Sequence, residues 1–308
     1  MSHTPRNRLR LVLSRATNVF ACSFVVWIIL GAFCSRVLAA DAAGPVHGLW
    51  VWKTPTVLAV PGAAETLRDF CRSQSINEVY VSFSGKDDAS EEGDVARLIV
   101  QLHRSHIRVE ALISSTEADE PGKYRDKLLD KVRAIIRFNE HARDGFDGIH
   151  LDIEPQQRPE NKGAGNLRFL PGLVDAYRAV LAAAGPAHLM VNADIQNKLL
   201  KGDLRERRML LSSLPRFTLM LYELSSPSDG ETEAQKAEKL RSASQKFLDM
   251  AYDGLNEPNL GKMVIGLRTP DYEDLLPAML KSLDDAHVAN PHYLGWARHS
   301  YNDYLKTR

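Results

Sequence analysis

The sequence predicts a single (β/α)8 barrel, and three observations carry that expectation. Short β-branched or aromatic runs alternate with longer helical patterns from residue 48 onward, which is the signature of parallel α/β architecture. Eight strand candidates can be counted, with no linker, low-complexity tract or change of composition between them. The stretch from residue 41 to residue 308 is close to the ~250 residues of one such barrel.

The first forty residues stand apart from this series. Arg6, Arg8, Arg10 and Arg15 form a basic region, Val19 to Phe33 is an apolar run, and Val37-Leu38-Ala39-Ala40 offers small residues at a cleavage point. Together they read as a secretory signal over residues 1–40, with 41–308 as the barrel domain. The apolar run is shorter than the roughly 20 residues of a membrane span. An uncleaved N-terminal anchor stays open as the alternative, with Ser35-Arg36-Val37-Leu38 as its flank. The expected location is therefore secreted or periplasmic, with membrane contact only if the segment is retained.

The strand candidates, in order, are Gly48 to Lys53, Asn77 to Phe83, Arg108 to Ile113, Gly148 to Glu154, Leu189 to Asp194, Phe217 to Glu223, Met263 to Arg268 and Tyr293 to Ala297. Between them the helical periodicity covers Ala64 to Ser73, Val95 to Ser105, Tyr124 to Ala142, Leu167 to Ala184, Glu233 to Tyr252 and Tyr272 to Ala286. Several of these begin near acidic, Ser, Thr or Pro residues, which suit helix N-termini. The fifth helix, around Leu204 to Ser212, has the weakest pattern.

The chain has 39 basic and 39 acidic residues; five Arg and no acid fall in residues 1–40, leaving 34 positive against 39 negative, or −5. That sign disfavours nucleic acid or an anionic membrane surface as a partner. Only Cys71 lies beyond the leader, so no intrachain disulfide forms there. Oligomeric state leaves no trace in the sequence.

The fourth strand, Asp147-Gly148-Ile149-His150-Leu151-Asp152-Ile153-Glu154, is the most informative segment. Side chains alternate along a strand, so His150, Asp152 and Glu154 share one face and Ile149, Leu151 and Ile153 the other. Burying two carboxylates and an imidazole side by side costs several kcal/mol unless they are paired or reach water. In a barrel of this kind the active site lies at the carboxyl ends of the strands. Those ends carry Trp50 and Trp52, Ser82 and Ser84, Asp152 and Glu154, Asn192 and Asp194, Tyr222 and Glu223, Arg268, and Trp296 with Arg298. Acids, aromatics and amides at one mouth suit a poly- or oligosaccharide, whose hydroxyls need hydrogen bonds and whose ring faces stack on Trp and Tyr.

Asp152 and Glu154 are spaced about 6.6 to 7 Å by backbone rise, close enough to titrate as a pair. Glu154, nearer the mouth, is placed to act as general acid, and Asp152 as the charged partner. A direct two-carboxylate hydrolase would take its second acid from another strand, with Glu223 or Asp194 available. A single metal held by His150, Asp152 and Glu154 is opposed by the ~13 Å from first to third.

These features resemble glycoside hydrolase family 18, the chitinase-like barrels. Asp147, Gly148, Asp152 and Glu154 match that family's Asp-Gly-x-Asp-x-Asp-x-Glu, with His150 in place of the first Asp of its DxDxE triad. Met220-Leu221-Tyr222-Glu223 resembles its sixth-strand Met-x-Tyr-Asp, and Gly295-Trp296-Ala297 its eighth-strand Trp. The resemblance implies substrate-assisted retaining hydrolysis of an N-acetylhexosamine-containing glycan, an exception to two-carboxylate catalysis. In it Glu154 donates the proton, Asp152 orients the 2-acetamido group, Tyr222 hydrogen-bonds its carbonyl and Trp296 supports the ring. Trp52, His150, Asn192, Asp194, Glu223 and Arg268 would contact substrate, and no metal or organic cofactor is needed. For this chemistry Asp152, Glu154, Tyr222 and Trp296 have to line one pocket.

Three departures stand out. His150 replaces an acid, and an ion pair with Asp152 is the expected consequence. Leu112-Ile113-Ser114-Ser115 stands where the family has Ser-x-Gly-Gly, and the segment after strand seven is too short for an inserted α+β wall. A glycosidase pairing Glu154 with a separate carboxylate and a catalytically silent glycan-binding barrel therefore stay open beside the substrate-assisted enzyme.

Overall fold

The computed structural model describes residues 44–86, 88–162, 167–222, 232–255, 261–268, 276–287 and 289–306. The leader expected over residues 1–40 lies outside them, as does Glu223.

Eight parallel strands close into a barrel in chain order: β1 (Val46–Val51), β2 (Glu78–Ser82), β3 (Arg108–Ser115), β4 (Gly148–Ile153), β5 (Met190–Gln196), β6 (Arg216–Met220), β7 (Lys262–Arg268) and β8 (Tyr293–His299). β8 returns to β1 through Val46↔Gly295 and Leu49↔Arg298. The helices among the described residues are α1 (Thr54–Leu58), α2 (Ala63–Ser73), α3 (Ala89–His103), α4 (Lys123–His141), α5 (Leu170–Ala184), α6 (Leu204–Leu211), α7 (Glu233–Gly254), α8 (Leu276–His287) and α9 (Tyr301–Lys306). Every expected strand and helix is present among the described residues, with ends displaced by up to six residues; the expected ends at Glu223 and Tyr272 lie outside them.

Two helix starts are set by side-chain caps. α3 starts six residues before the apolar periodicity at Val95, because the Asp88 carboxylate accepts from the Ser90 and Glu91 amides at 3.0 and 3.3 Å. The weakly patterned α6 is held by a capping box in which Asp203 and Glu206 each satisfy the other's backbone N–H at 2.8 Å. The short helices α1 and α9 are additions to the expected series, too short to show a periodicity.

Two cores result. Leu49, Val51, Val79, Ile113, Leu151, Ile195 and Leu219 point outward against the helices. Trp50, Tyr80, Leu112, Val264 and Ala297 fill the barrel itself. Gly266 lets the Trp50 indole lie across the axis, since a Cβ there would sit 3.0 Å from the indole ring and 3.2 Å from the Thr218 methyl.

β8 breaks the alternation once. Tyr293 pairs with Met263, but Gly295 pairs with the next residue, Val264, so Leu294 is an extra residue in a bulge. Gly295 takes φ +142°, and a Cβ there would collide with the Val46 backbone. Downstream of the bulge the phase is reversed, which directs Trp296 outward and Ala297 and His299 inward. Gly295→Ala is expected to cost about 2 kcal/mol or more, read as a lower denaturant midpoint with unchanged slope; wild-type stability would contradict this use of the glycine.

Candidate active site

β4 carries the ladder. His150 is wholly buried, Asp152 and Glu154 are half-buried, and all three lie on the face opposite Ile149, Leu151 and Ile153. Pro155 opens a 3-10 turn, Pro155–Gln157, directly after the strand and folds two amides back onto Glu154. Gln156 Nε2 donates to Glu154 Oε1 at 3.2 Å, Gln157 Nε2 donates to Oε2, and Gln196 Nε2 at the end of β5 donates to Oε1 at 3.1 Å. Arg158 fixes the same loop from outside by donating to Asp119 at 2.6 Å and to Glu120.

Tyr222 follows β6 and turns inward, its ring 6.4 Å from Trp50 and 5.3 Å from His299. Its hydroxyl is buried without a hydrogen-bond partner among the described residues. A buried phenol with neither donor nor acceptor is costly, and a ligand oxygen would satisfy it. Burial, reinforced by the charges of Asp194, Asp152 and Glu154, pushes its proton affinity far up, so it stays a neutral donor.

The buried polar groups are arranged differently from the expectation. His150 does not pair with Asp152: its Nε2 lies 2.9 Å from Asp194 Oδ1 and its Nδ1 3.2 Å from Glu110 Oε2. The second oxygen of Asp194 accepts from Trp50 Nε1 at 3.1 Å. Asp194 is 2% exposed, and His150 and Asn192 are 0% exposed, so none of the three meets substrate. Both ring nitrogens of His150 are committed to carboxylates, which removes it as a metal ligand as well. Glu110, absent from the sequence-based candidates, is the residue that completes the cluster.

Below it Glu110 faces Arg216, with Nη1 at 3.6 Å from Oε1, and Arg216 donates to Glu78 at 2.9 Å. Tyr80 stacks on the imidazole at 3.8 Å between ring centres. Although burial alone opposes a charge on His150, the carboxylates of Asp194 and Glu110 outweigh it and push its pKa up to about 9. Burial would likewise raise Glu110, but Arg216, His150 and Arg108 hold it below the usual range.

At the mouth the balance reverses. Burial, then the charges of Asp194 and Glu154, raise Asp152 well above an ordinary carboxyl, with His150 partly opposing. Burial and Asp194 raise Glu154 to about 7 against the pull of its three glutamine donors. The two belong to one coupled pair.

Trp296 is not under this pocket. It lies on the outer face, 4% exposed, stacked on His47 at 4.1 Å and donating to Asp284 of α8 at 3.1 Å. The bulge at Gly295 is the cause. The inward aromatic at the mouth is Trp52, whose backbone N–H and carbonyl are both bound by the Asn302 side chain at 2.7 Å and whose Nε1 donates to His299 Nε2 at 2.9 Å. Arg268 ends β7 on the inward face, half-buried, and its charge helps depress His299 after burial.

Solved structures with the same fold include an exo-β-1,4-mannosidase from Opitutaceae bacterium strain TAV5, 14% identical over 85% of this chain and 53% of that one, with TM-score 0.57. A family 18 chitinase from Pseudoalteromonas aurantia is 11% identical over 85% and 98%, with TM-score 0.51. The glycoside hydrolase domain of PgaB from Bordetella bronchiseptica is 10% identical over 86% and 96%, with TM-score 0.50. At these identities the likeness is one of fold. No family model and no curated protein matches the sequence.

The shifted groups make stability depend on pH with a definite sign. His150, Glu154 and Asp152 have folded-state pKa values above their unfolded ones, so the stability they contribute is complete at low pH and is lost as pH rises, through about 7 for Glu154 and about 9 for His150. For His150 this amounts to roughly 3 kcal/mol. Glu110 acts oppositely, its contribution being lost below the usual carboxyl range. The melting temperature should therefore be highest in mildly acidic solution and fall steadily from pH 6 to 9; a flat profile would contradict the charge assignments.

Proposed function

We propose that this protein is a glycoside hydrolase in which Glu154 is the general acid and base, acting on a glycan that contains N-acetylhexosamine. The observation that carries the proposal is the convergence at one mouth of the Asp152–Glu154 pair with the Tyr222 hydroxyl, which has no hydrogen-bond partner among the described residues. The three neighbours of known fold described above are glycosidases or carry a glycoside hydrolase domain, which supports the reaction class. A proton affinity near neutrality suits a group that first gives a proton to the leaving oxygen and then takes one from water.

Asp152 and Tyr222 suit a 2-acetamido group. The phenol donates to its carbonyl oxygen, while Asp152 accepts from its N–H. That N–H favours the ionised form of Asp152, which leaves the shared proton on Glu154 when substrate is bound. The acetamido oxygen can then attack the anomeric carbon as Glu154 protonates the leaving group. A direct mechanism with Asp194 as the second carboxylate is disfavoured, because Asp194 is sealed under the pocket. Trp296 has no part; Trp52, held from both sides, supplies the apolar face for a sugar ring.

Glu154→Gln should lower turnover by about 10²- to 10⁴-fold on a glycoside with a poor leaving group, and less on an activated aryl glycoside. Asp152→Asn should lose activity on both, because it orients and stabilises rather than protonates. Equal defects on the two substrates for both variants would remove this division of roles. Substrates lacking the 2-acetamido group should not be cleaved by wild type; efficient cleavage would exclude substrate assistance. Binding of the glycan with no turnover by wild type would instead identify a lectin-like barrel.

A further inference from the structure

The charged residues buried in the barrel form a column of alternating sign. Glu78 pairs with Arg216, Arg216 faces Glu110, Glu110 lies 3.2 Å from His150, and His150 lies 2.9 Å from Asp194. Five strands supply these groups: β2, β6, β3, β4 and β5. Each interior member has an opposite charge on either side, provided that His150 is an imidazolium. A neutral imidazole would leave one nitrogen lone pair facing a carboxylate oxygen. The amide nitrogen of Asn192 lies 3.1 Å from Nδ1 and donates to Glu110 Oε2 at 3.4 Å, so Glu110 is the acceptor that faces both groups.

The upper end of the column is Asp194, and it is the member nearest the candidate chemistry. The β4–β5 register places His150 opposite Asn192, so continuing it sets Asp152 level with Asp194 and Glu154 level with Gln196, which indeed donates to Glu154. We propose that Asp194 is a positioning residue that never meets substrate: held by His150 at 2.9 Å and by the Trp50 indole N–H at 3.1 Å, its carboxylate lies level with Asp152 and makes Glu154 the acid of the pair.

The groups that feel Asp194 are His150, Asp152 and Glu154 from β4, Tyr80 from β2, Tyr222 after β6, His299 from β8 and Tyr177 from α5. Among them only His150 is a cation, because burial keeps His299 neutral and the tyrosines hold their protons. Nothing else in that set counters the charge of Asp194 where it acts on Asp152 and Glu154. His150 is then the means by which the barrel retains an anion in a sealed position, and Glu110 with Arg216 the means by which it retains His150.

The part of this proposal that concerns Glu154 rests on the proposed hydrolase activity; the state of His150 does not, and the two are tested separately. In ¹⁵N-labelled wild type, both ring nitrogens of His150 should show imidazolium shifts at pH 7 and lose them only as pH approaches about 9. A neutral ring at pH 7 overturns the proposal whether or not the protein is an enzyme. Asp194→Asn should move the basic limb of kcat/KM towards lower pH by about one unit, with KM at the optimum changed less than twofold. Asp194→Glu, which keeps the charge, should leave that limb near the wild-type position. An unmoved basic limb in Asp194→Asn, or a KM effect without a pH effect, overturns it. If Asp194→Asn does not fold, the wild-type ring titration still decides. Full turnover by Glu154→Gln would remove the assignment of the acid while leaving the signature of His150 intact, so the two failures are distinct.

Discussion

A protonated imidazole closed on both sides by carboxylates is expensive to bury and more expensive to leave half-paired. Removing one partner of a buried ion pair costs about 3 to 5 kcal/mol, so Glu110, His150 and Asp194 have to be present together. The strands that carry them, β3, β4 and β5, are consecutive in the barrel, and their register brings the three side chains together. The polar interior is in this sense a single unit. The Trp50 indole crosses the barrel to reach Asp194, Gly266 is small so that it can, and Tyr80 stacks against the imidazole.

This arrangement also orders the chemistry by depth. Deep in the barrel the charges alternate and every carboxylate has a cation beside it. At the mouth the alternation stops at an anion, and Asp152 and Glu154 find themselves beside Asp194 with no further cation from the column. Their proton affinity rises for that reason and through burial, while the glutamines around Glu154 limit the rise. Depth, not residue type, separates carboxylates that hold charge from carboxylates that hold protons.

The fold was legible because β-branched and aromatic runs mark all eight strands and the longer helices between them carry an apolar stripe or a cap. The ladder on β4 was legible for the same reason, since period two fixes which side chains share a face. Trp296 was misplaced because one bulge reverses the phase of β8, and the only trace of it in the sequence is Gly295, a glycine inside a strand. Glu110 was overlooked because it sits singly in the apolar run Val109-Glu110-Ala111. A charged residue in such a run on the strand before the ladder was the available signal. That His150 would pair across strands, and not along its own, depended on the register of three neighbours, which no single segment encodes.

On the proposed reading, Asp152, Glu154 and Tyr222 receive one sugar at the mouth of the barrel. A crystal structure of Glu154→Gln with an N-acetylglucosamine oligomer tests it most directly. The expected result places the acetamido oxygen within hydrogen-bonding distance of Tyr222 Oη, the acetamido N–H on Asp152 and the glycosidic oxygen beside residue 154. A sugar bound on the outer face around Trp296, or seated at the mouth with its acetamido group turned away from Tyr222, would contradict it.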